Sequence, residues 1–254
     1  MRTRASSFIW PAASILLFFL IWQAYVSIGG VSSFILPGPL KVFEELWVQL
    51  SNGNLTQEIL VTATETVLGF GLGASLGMLV GYLVYRFEAV RLTLMPFLVF
   101  FQVAPKIALV PMFIIWFGLG MFSRLFVVFS MVFFPITLGM IEGLTAIPSS
   151  MRELLEILYA SKQQTLLKLE LPYAMPRLFS AFKVGIVQAL IGATVAEWMS
   201  GQGGLGYVQT NASATFNTPL LMVGILVTIA LGLLLWGIVG LGEKKFCAWS
   251  EVNK

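Results

Sequence analysis

IPSSMRELLEILYASKQQTLLKLELP, residues 147–172, is the long polar interruption in the second half of a very apolar chain. Arg152, Glu153, Glu156, Lys162, Lys168 and Glu170 all fall inside it. Met151, Leu154, Leu155 and Leu158 stand at i, i+3, i+4 and i+7, the apolar stripe of a short helix. Ser150 and Glu153 form an S-x-x-E capping box, which predicts the helix start there. Pro172 and Pro176 are expected to break the chain before the next apolar run. A short amphipathic helix between two membrane spans reads as a docking surface, and the rest of the sequence has to say what docks.

The chain has 254 residues, 58% of them hydrophobic and 11% charged, with a mean hydropathy of +0.90. Soluble domains carry about 25% charged residues, so an ordinary globular protein is excluded and an all-α, polytopic membrane protein is expected. There is no His and no Asp; every acid is Glu. The one cysteine, Cys247, allows neither an internal disulfide nor a Cys-based metal cluster. Without His, a His-containing zinc site and a Ser-His-Asp triad are both impossible. No catalytic or metal-binding residue is expected. The net charge of +3 is a topology signal rather than a nucleic-acid signal.

About six apolar stretches approach the length needed to cross a bilayer. They lie near 8–28, 60–85, 95–117, 122–143, 178–199 and 219–241, and together make a single membrane domain. The first is too long for a signal-peptide core and lacks an A-x-A-like end, so it reads as an uncleaved span. Trp10, Trp22, Trp116, Trp198 and Trp236 lie towards span ends, as interfacial aromatics do. With the N-terminus inside, the inner segments hold Arg2, Arg4, Arg86, Arg91, Arg152, Lys162, Lys168, Arg177, Lys244, Lys245 and Lys254. The outer segments hold only Lys41 and Arg124. Both termini and the 147–176 loop are therefore expected in the cytoplasm.

Outside, LPGP at 36–39 precedes an amphipathic stretch, LKVFEELWVQL, expected as a helix on the outer leaflet. The segment 200–218 reads as an uncharged loop rich in Gly, Asn and Thr. Gly69, Gly73, Gly77 and Gly81 form a small-xxx-small ladder for close helix packing, within the subunit or across a dimer. Pro96, Pro105, Pro111 and Pro135 imply kinks or breaks in spans three and four. Gly201, Gly203 and Gly206 match G-x-G-x-x-G, but they follow a membrane span instead of a strand, so the dinucleotide reading fails. No G-x-x-x-x-G-K-[ST] occurs, so the chain binds no ATP by a P-loop. Among ionisable residues at membrane depth, Glu142 and Lys183 lie near cytoplasmic ends and can snorkel. Lys106, between two prolines, either lines a polar pathway and meets an anion or pairs with a Glu. Glu197 is either interfacial or a gate contact.

Residues 153–172 resemble the EAA loop of permease subunits of ATP-binding-cassette (ABC) importers. Glu153 takes the place of the motif's Glu, Ala160 and Ser161 follow as in many relatives, and Leu171 and Pro172 close the motif at the right distance. Leu154 and Leu155 replace its alanines, Tyr159 its glycine and Leu169 its isoleucine. PKIALVPMFIIWFGLG at 105–120, FFPI at 133–136 and IGATVAEWMSGQGGLGY at 191–207, with LPGP, extend the likeness to the nitrate/sulfonate/taurine subfamily. The resemblance implies a type I (MetI-like) importer permease in a bacterial plasma (inner) membrane. It implies a second permease copy in a homodimer, cytoplasmic ATPases that alone bind ATP, and an extracytoplasmic solute-binding protein. It implies ATPase coupling through Met151, Glu153, Leu154, Leu155, Leu158, Tyr159, Ala160, Ser161, Leu171 and Pro172. The solute would be a small anion of the nitrate, sulfonate or taurine type, or a riboflavin- or pyrimidine-type compound. An ion-coupled secondary transporter would usually show repeated halves, and none is visible. A membrane-embedded enzyme would need a constellation that a chain without His or Asp can hardly build.

Overall fold

The computed structural model describes residues 6–249, and among these every regular element is helical. In chain order they are α1 (Ser6–Ile28), α2 (Pro39–Ser51), α3 (Asn54–Arg86), α4 (Glu88–Val103), a 3₁₀ turn (Lys106–Leu109), α5 (Val110–Phe117) and α6 (Met121–Thr145). Then come α7 (Ser149–Ile157), α8 (Lys162–Thr165), a π turn (Leu166–Glu170), α9 (Leu171–Ser200), α10 (Leu205–Ala214) and α11 (Thr218–Phe246).

Four helical stretches are long and apolar enough to cross a membrane: α3, α6, the continuous run Lys162–Ser200, and α11. The helices overrun the apolar stretches at several ends; α3, for example, begins at Asn54 rather than near 60. The expected third span, 95–117, is instead two helices, α4 and α5, bent by 88°. Pro105 has no N–H to continue the ladder, and Ala104 before it is extended (φ −56°, ψ 137°), as residues preceding proline tend to be. α1 runs for 23 residues over the first apolar stretch.

The core is the packing of α3 and α9 on α6. α3 and α6 run parallel in a fixed register: Gly69 faces Val128, Gly73 faces Val132, Gly77 faces Ile136 and Gly81 faces Met140. Both sequences advance by four, so one ridge of α6 lies along one glycine groove of α3. A methyl at Gly69 would stand 2.4 Å from Val128, and one at Gly81 would stand 2.7 Å from the Thr137 carbonyl. The ladder therefore serves packing inside the subunit. α9 crosses the other side of α6 antiparallel, with Ala181 against Gly139 and Ala174 against Gly143. Val128, Val132, Ile136, Met140, Leu144, Leu178 and Ala189 fill the space between.

The two segments expected outside both contain helices that cap one end of this bundle. Pro39 sits in the first turn of α2, where its missing N–H costs nothing. Val42 of α2, Leu55 of α3, Leu205 of α10 and Val223 of α11 bury one another. The 200–218 segment, read as a loop from its polarity, is thus half helix, because Leu205 and Ala212 anchor it.

Candidate functional site

The segment singled out by the sequence forms a corner at the opposite end of the bundle. Ile147 is buried, and Pro148, in extended conformation, caps α7. The Ser150–Glu153 box does not form: the helix starts at Ser149, so Ser150 is already inside the first turn and no side chain caps it. The capping box of this region belongs to α8. Gln164 N–H donates to Ser161 Oγ at 3.2 Å, and Ser161 N–H donates to Gln164 Oε1 at 2.8 Å.

Between the two helices the turn is a complete Schellman motif. Ala160 N–H donates to the Leu155 carbonyl and Tyr159 N–H to the Glu156 carbonyl, each at 2.9 Å. That geometry puts Tyr159 at φ 54°, in the left-handed region. The conformation costs a residue with a Cβ roughly 1–2 kcal/mol. Met151, Leu154, Ile157, Leu158 and Tyr159 are all exposed, while Leu155 is half-buried. Glu153 is exposed and has no ion pair among the described residues.

Arg152 ties the corner to the bundle. Its Nη2 donates to the Leu144 carbonyl at 3.0 Å, and its guanidinium lies 5.4 Å from the Tyr85 ring centroid. A cleft of about 470 Å³ lies behind, lined by Tyr82, Tyr85, Arg86, Arg152, Glu156 and Lys162 among others. Leu171 and Pro172, both half-buried, open α9. The prolines do not break the chain as expected, since Lys162–Ser200 is continuous. The π turn just before Pro172 loosens the backbone ladder where proline would clash, and Pro172 itself sits in the first turn of α9.

Lys106 lies at the break between α4 and α5. Its Nζ donates to the Gln102 carbonyl at 3.1 Å and stands 5.2 Å from the Phe134 ring centroid. It has no carboxylate partner among the described residues. Lys183 does not snorkel unpartnered: it pairs with Glu243 and lies 5.2 Å from the Trp236 ring centroid. Glu142 is exposed.

Glu197 is fully buried within the protein. Oε1 accepts from Thr62 Oγ1 at 2.7 Å, and Oε2 accepts from Gly206 N–H at 2.7 Å. Thr62 Oγ1 in turn accepts from Leu205 N–H at 2.8 Å, and Glu58 accepts from Gly204 N–H. Nearby, Arg124 Nη1 bonds Glu65 Oε1 and the Gln202 carbonyl, both at 2.8 Å. The segment 201–206 is thus wrapped on a buried charge cluster. Gly204 shows why glycine is needed: φ is +91°, and a Cβ would fall 2.2 Å from the Glu197 carboxyl carbon. At Gly206 a Cβ would stand 2.4 Å from the Thr194 carbonyl oxygen. The sequence reading did not single out Glu58, Thr62 or Glu65. Their i, i+4, i+7 spacing on one face of α3 was the available signal.

A broken span, a parallel glycine-packed helix pair and an exposed helical corner can be compared with known proteins. The family described as binding-protein-dependent transport system inner membrane component matches residues 73–246. The chain belongs to this family. It is the permease subunit of an ABC importer. The riboflavin transport system permease protein RibX of Chloroflexus aurantiacus is 33% identical over 249 residues, covering 95% of this chain and 92% of that protein. The putative aliphatic sulfonates transport permease protein SsuC of Bacillus subtilis is 30% identical, over 90% of this chain and 83% of that one. The formylaminopyrimidine transport permease protein ThiX of Halalkalibacterium halodurans is 28% identical, over 95% and 96%. An inward-facing structure of the MetNI methionine ABC transporter shares the fold, with a TM-score of 0.67 at 18% identity, over 76% of this permease and 95% of that chain.

Proposed function

We propose that this permease forms the pathway for a small solute and couples it to a separate cytoplasmic ATPase through the α7–α8 corner. The exposed apolar stripe of α7 carries the reading. It has the residue types of a docking face, and Arg152 and the unbroken α8–α9 run tie it to the spans. An ATPase domain seated on Met151, Glu153, Leu154 and Leu158 would move these helices as it closes. The pathway would then alternate between inward- and outward-open states, each state binding its partners differently. The ATPase alone binds ATP. A second permease copy, an extracytoplasmic binding protein and a plasma-membrane location with both termini inside complete the proposal. The excess of Lys and Arg on one side of the spans supports that orientation.

Substituting Leu154 and Leu158 by Glu should abolish uptake while the chain still inserts, measured by transport in vesicles and by membrane fractionation. The purified chain alone should hydrolyse no ATP. Uptake driven by an ion gradient in the absence of any ATPase would overturn the proposal.

The solute is proposed to be an anion of the sulfonate type ahead of a flavin or pyrimidine. The observation that favours an anion is Lys106, a cation at the break of a span with no carboxylate partner among the described residues. Lys106→Met should then lower uptake of a sulfonate by about tenfold, the loss of one contact of about 1.4 kcal/mol. Unchanged uptake would remove Lys106 from the pathway.

A further inference from the structure

The α7–α8 corner holds a residue that its own geometry disfavours. Tyr159 occupies the position after the helix cap where glycine is the usual residue, with φ at 54°. Both Schellman bonds are made, so the turn imposes that conformation on whatever residue stands there. Among the described residues no side-chain bond or ring contact of Tyr159 offsets the strain. Tyr159 is 96% exposed. Among the described residues its ring meets no other ring, and its hydroxyl has no hydrogen bond. It also extends the exposed apolar surface of Met151, Leu154, Ile157 and Leu158 at its far end. Strain kept at a fully exposed position points to a use outside the chain.

We propose that Tyr159 is the partner-selecting anchor of this corner. Its ring seats in an apolar-walled pocket of the cognate ABC ATPase, where a polar group at the base bonds the phenol hydroxyl. The proposal rests on the docking function above and assigns its selectivity to one residue. Tyrosine suits this role because it buries a large rigid surface and keeps a polar tip. Such residues dominate the energetics of many interfaces. Glycine at this position would relax the turn and remove the anchor. One substitution therefore has effects of opposite sign on fold and on assembly, whereas a merely structural tyrosine would move both in the same direction.

The test uses the full-length permease in detergent micelles and two purified ATPases. One is the ATPase that co-purifies with the permease; the other comes from an importer whose own permease has glycine at this corner. Tyr159→Gly should unfold at the same or a higher temperature than the parent. It should bind the cognate ATPase roughly tenfold more weakly and discriminate less between the two ATPases. Tyr159→Phe should fall between the parent and the glycine variant. Leu154→Glu serves as the control for docking itself. If Tyr159→Gly binds the cognate ATPase as tightly as the parent while Leu154→Glu does not, the anchor is overturned and the docking face stands. If Leu154→Glu also binds like the parent, the docking face falls and the anchor with it.

Discussion

Arg124 shows how much a single residue holds at the Glu197 end. It bonds Glu65 and the Gln202 carbonyl at once, so it joins α6 to α3 and to the glycine segment. Arg124→Met would leave the Glu65 carboxylate buried without its cation, which should cost about 3–5 kcal/mol. The double variant Glu65→Gln with Arg124→Met should lose less, because no orphan charge remains. Thermal unfolding of the four proteins in one detergent would check this; a double variant as damaged as the sum of the singles would show that the pair is not coupled. Little of this cluster was legible. Hydropathy reads α3 as one apolar span, and Arg124 reads as an outer-loop charge. Only the folded register brings Glu65 beside it. Glu197 stood out in the sequence as a charge at a span end, but its partners are the Thr62 hydroxyl and the backbone N–H of Gly206, in a segment that polarity alone makes a loop.

Among elements, the helices were the most legible part and their interruptions the least. Long apolar runs announce α3, α6, α9 and α11, because a bilayer needs that length. Four prolines in spans three and four look alike in sequence, yet only the one at 105 accompanies the 88° bend. Pro96 and Pro135 lie inside α4 and α6, and Pro111 sits in the first turn of α5. What separates them is the conformation of the preceding residue, which a sequence does not print. The glycine ladder was legible as close packing, but not as packing within one chain. It gives a paired prediction. Gly69→Ala should lower the unfolding temperature, since its Cβ has no room against Val128. Gly71→Ala, on the same helix but facing open space, should stabilise by up to about 1 kcal/mol through helix propensity alone. Equal effects at the two positions would mean that the α3–α6 register is wrong.

Across the whole molecule, the two polar regions lie at opposite ends of the α3–α6–α9 bundle. The corner is fixed to α6 by Arg152 and leads into α9 without a break. Arg152→Gln should therefore separate docking from movement. The ATPase should still bind and hydrolyse ATP, while uptake per ATP falls several-fold, because the corner can shift without carrying α6. Parallel measurements of ATP hydrolysis and uptake in proteoliposomes would check this. Loss of ATPase binding in the same variant would show that Arg152 shapes the docking face itself.

The pairing of Glu65 with Arg124 also bears on how the chain is made. α3 leaves the ribosome before α6, and the bent α4–α5 pair lies between them. During that interval Glu65 lacks Arg124, its partner in the folded chain, and an ionised carboxylate is costly in hydrocarbon. Biogenesis must then hold α3 in the insertion machinery until α6 arrives, or admit it with a neutral carboxyl. Where that carboxyl stays ionised, release of the first core helix into lipid waits for the second.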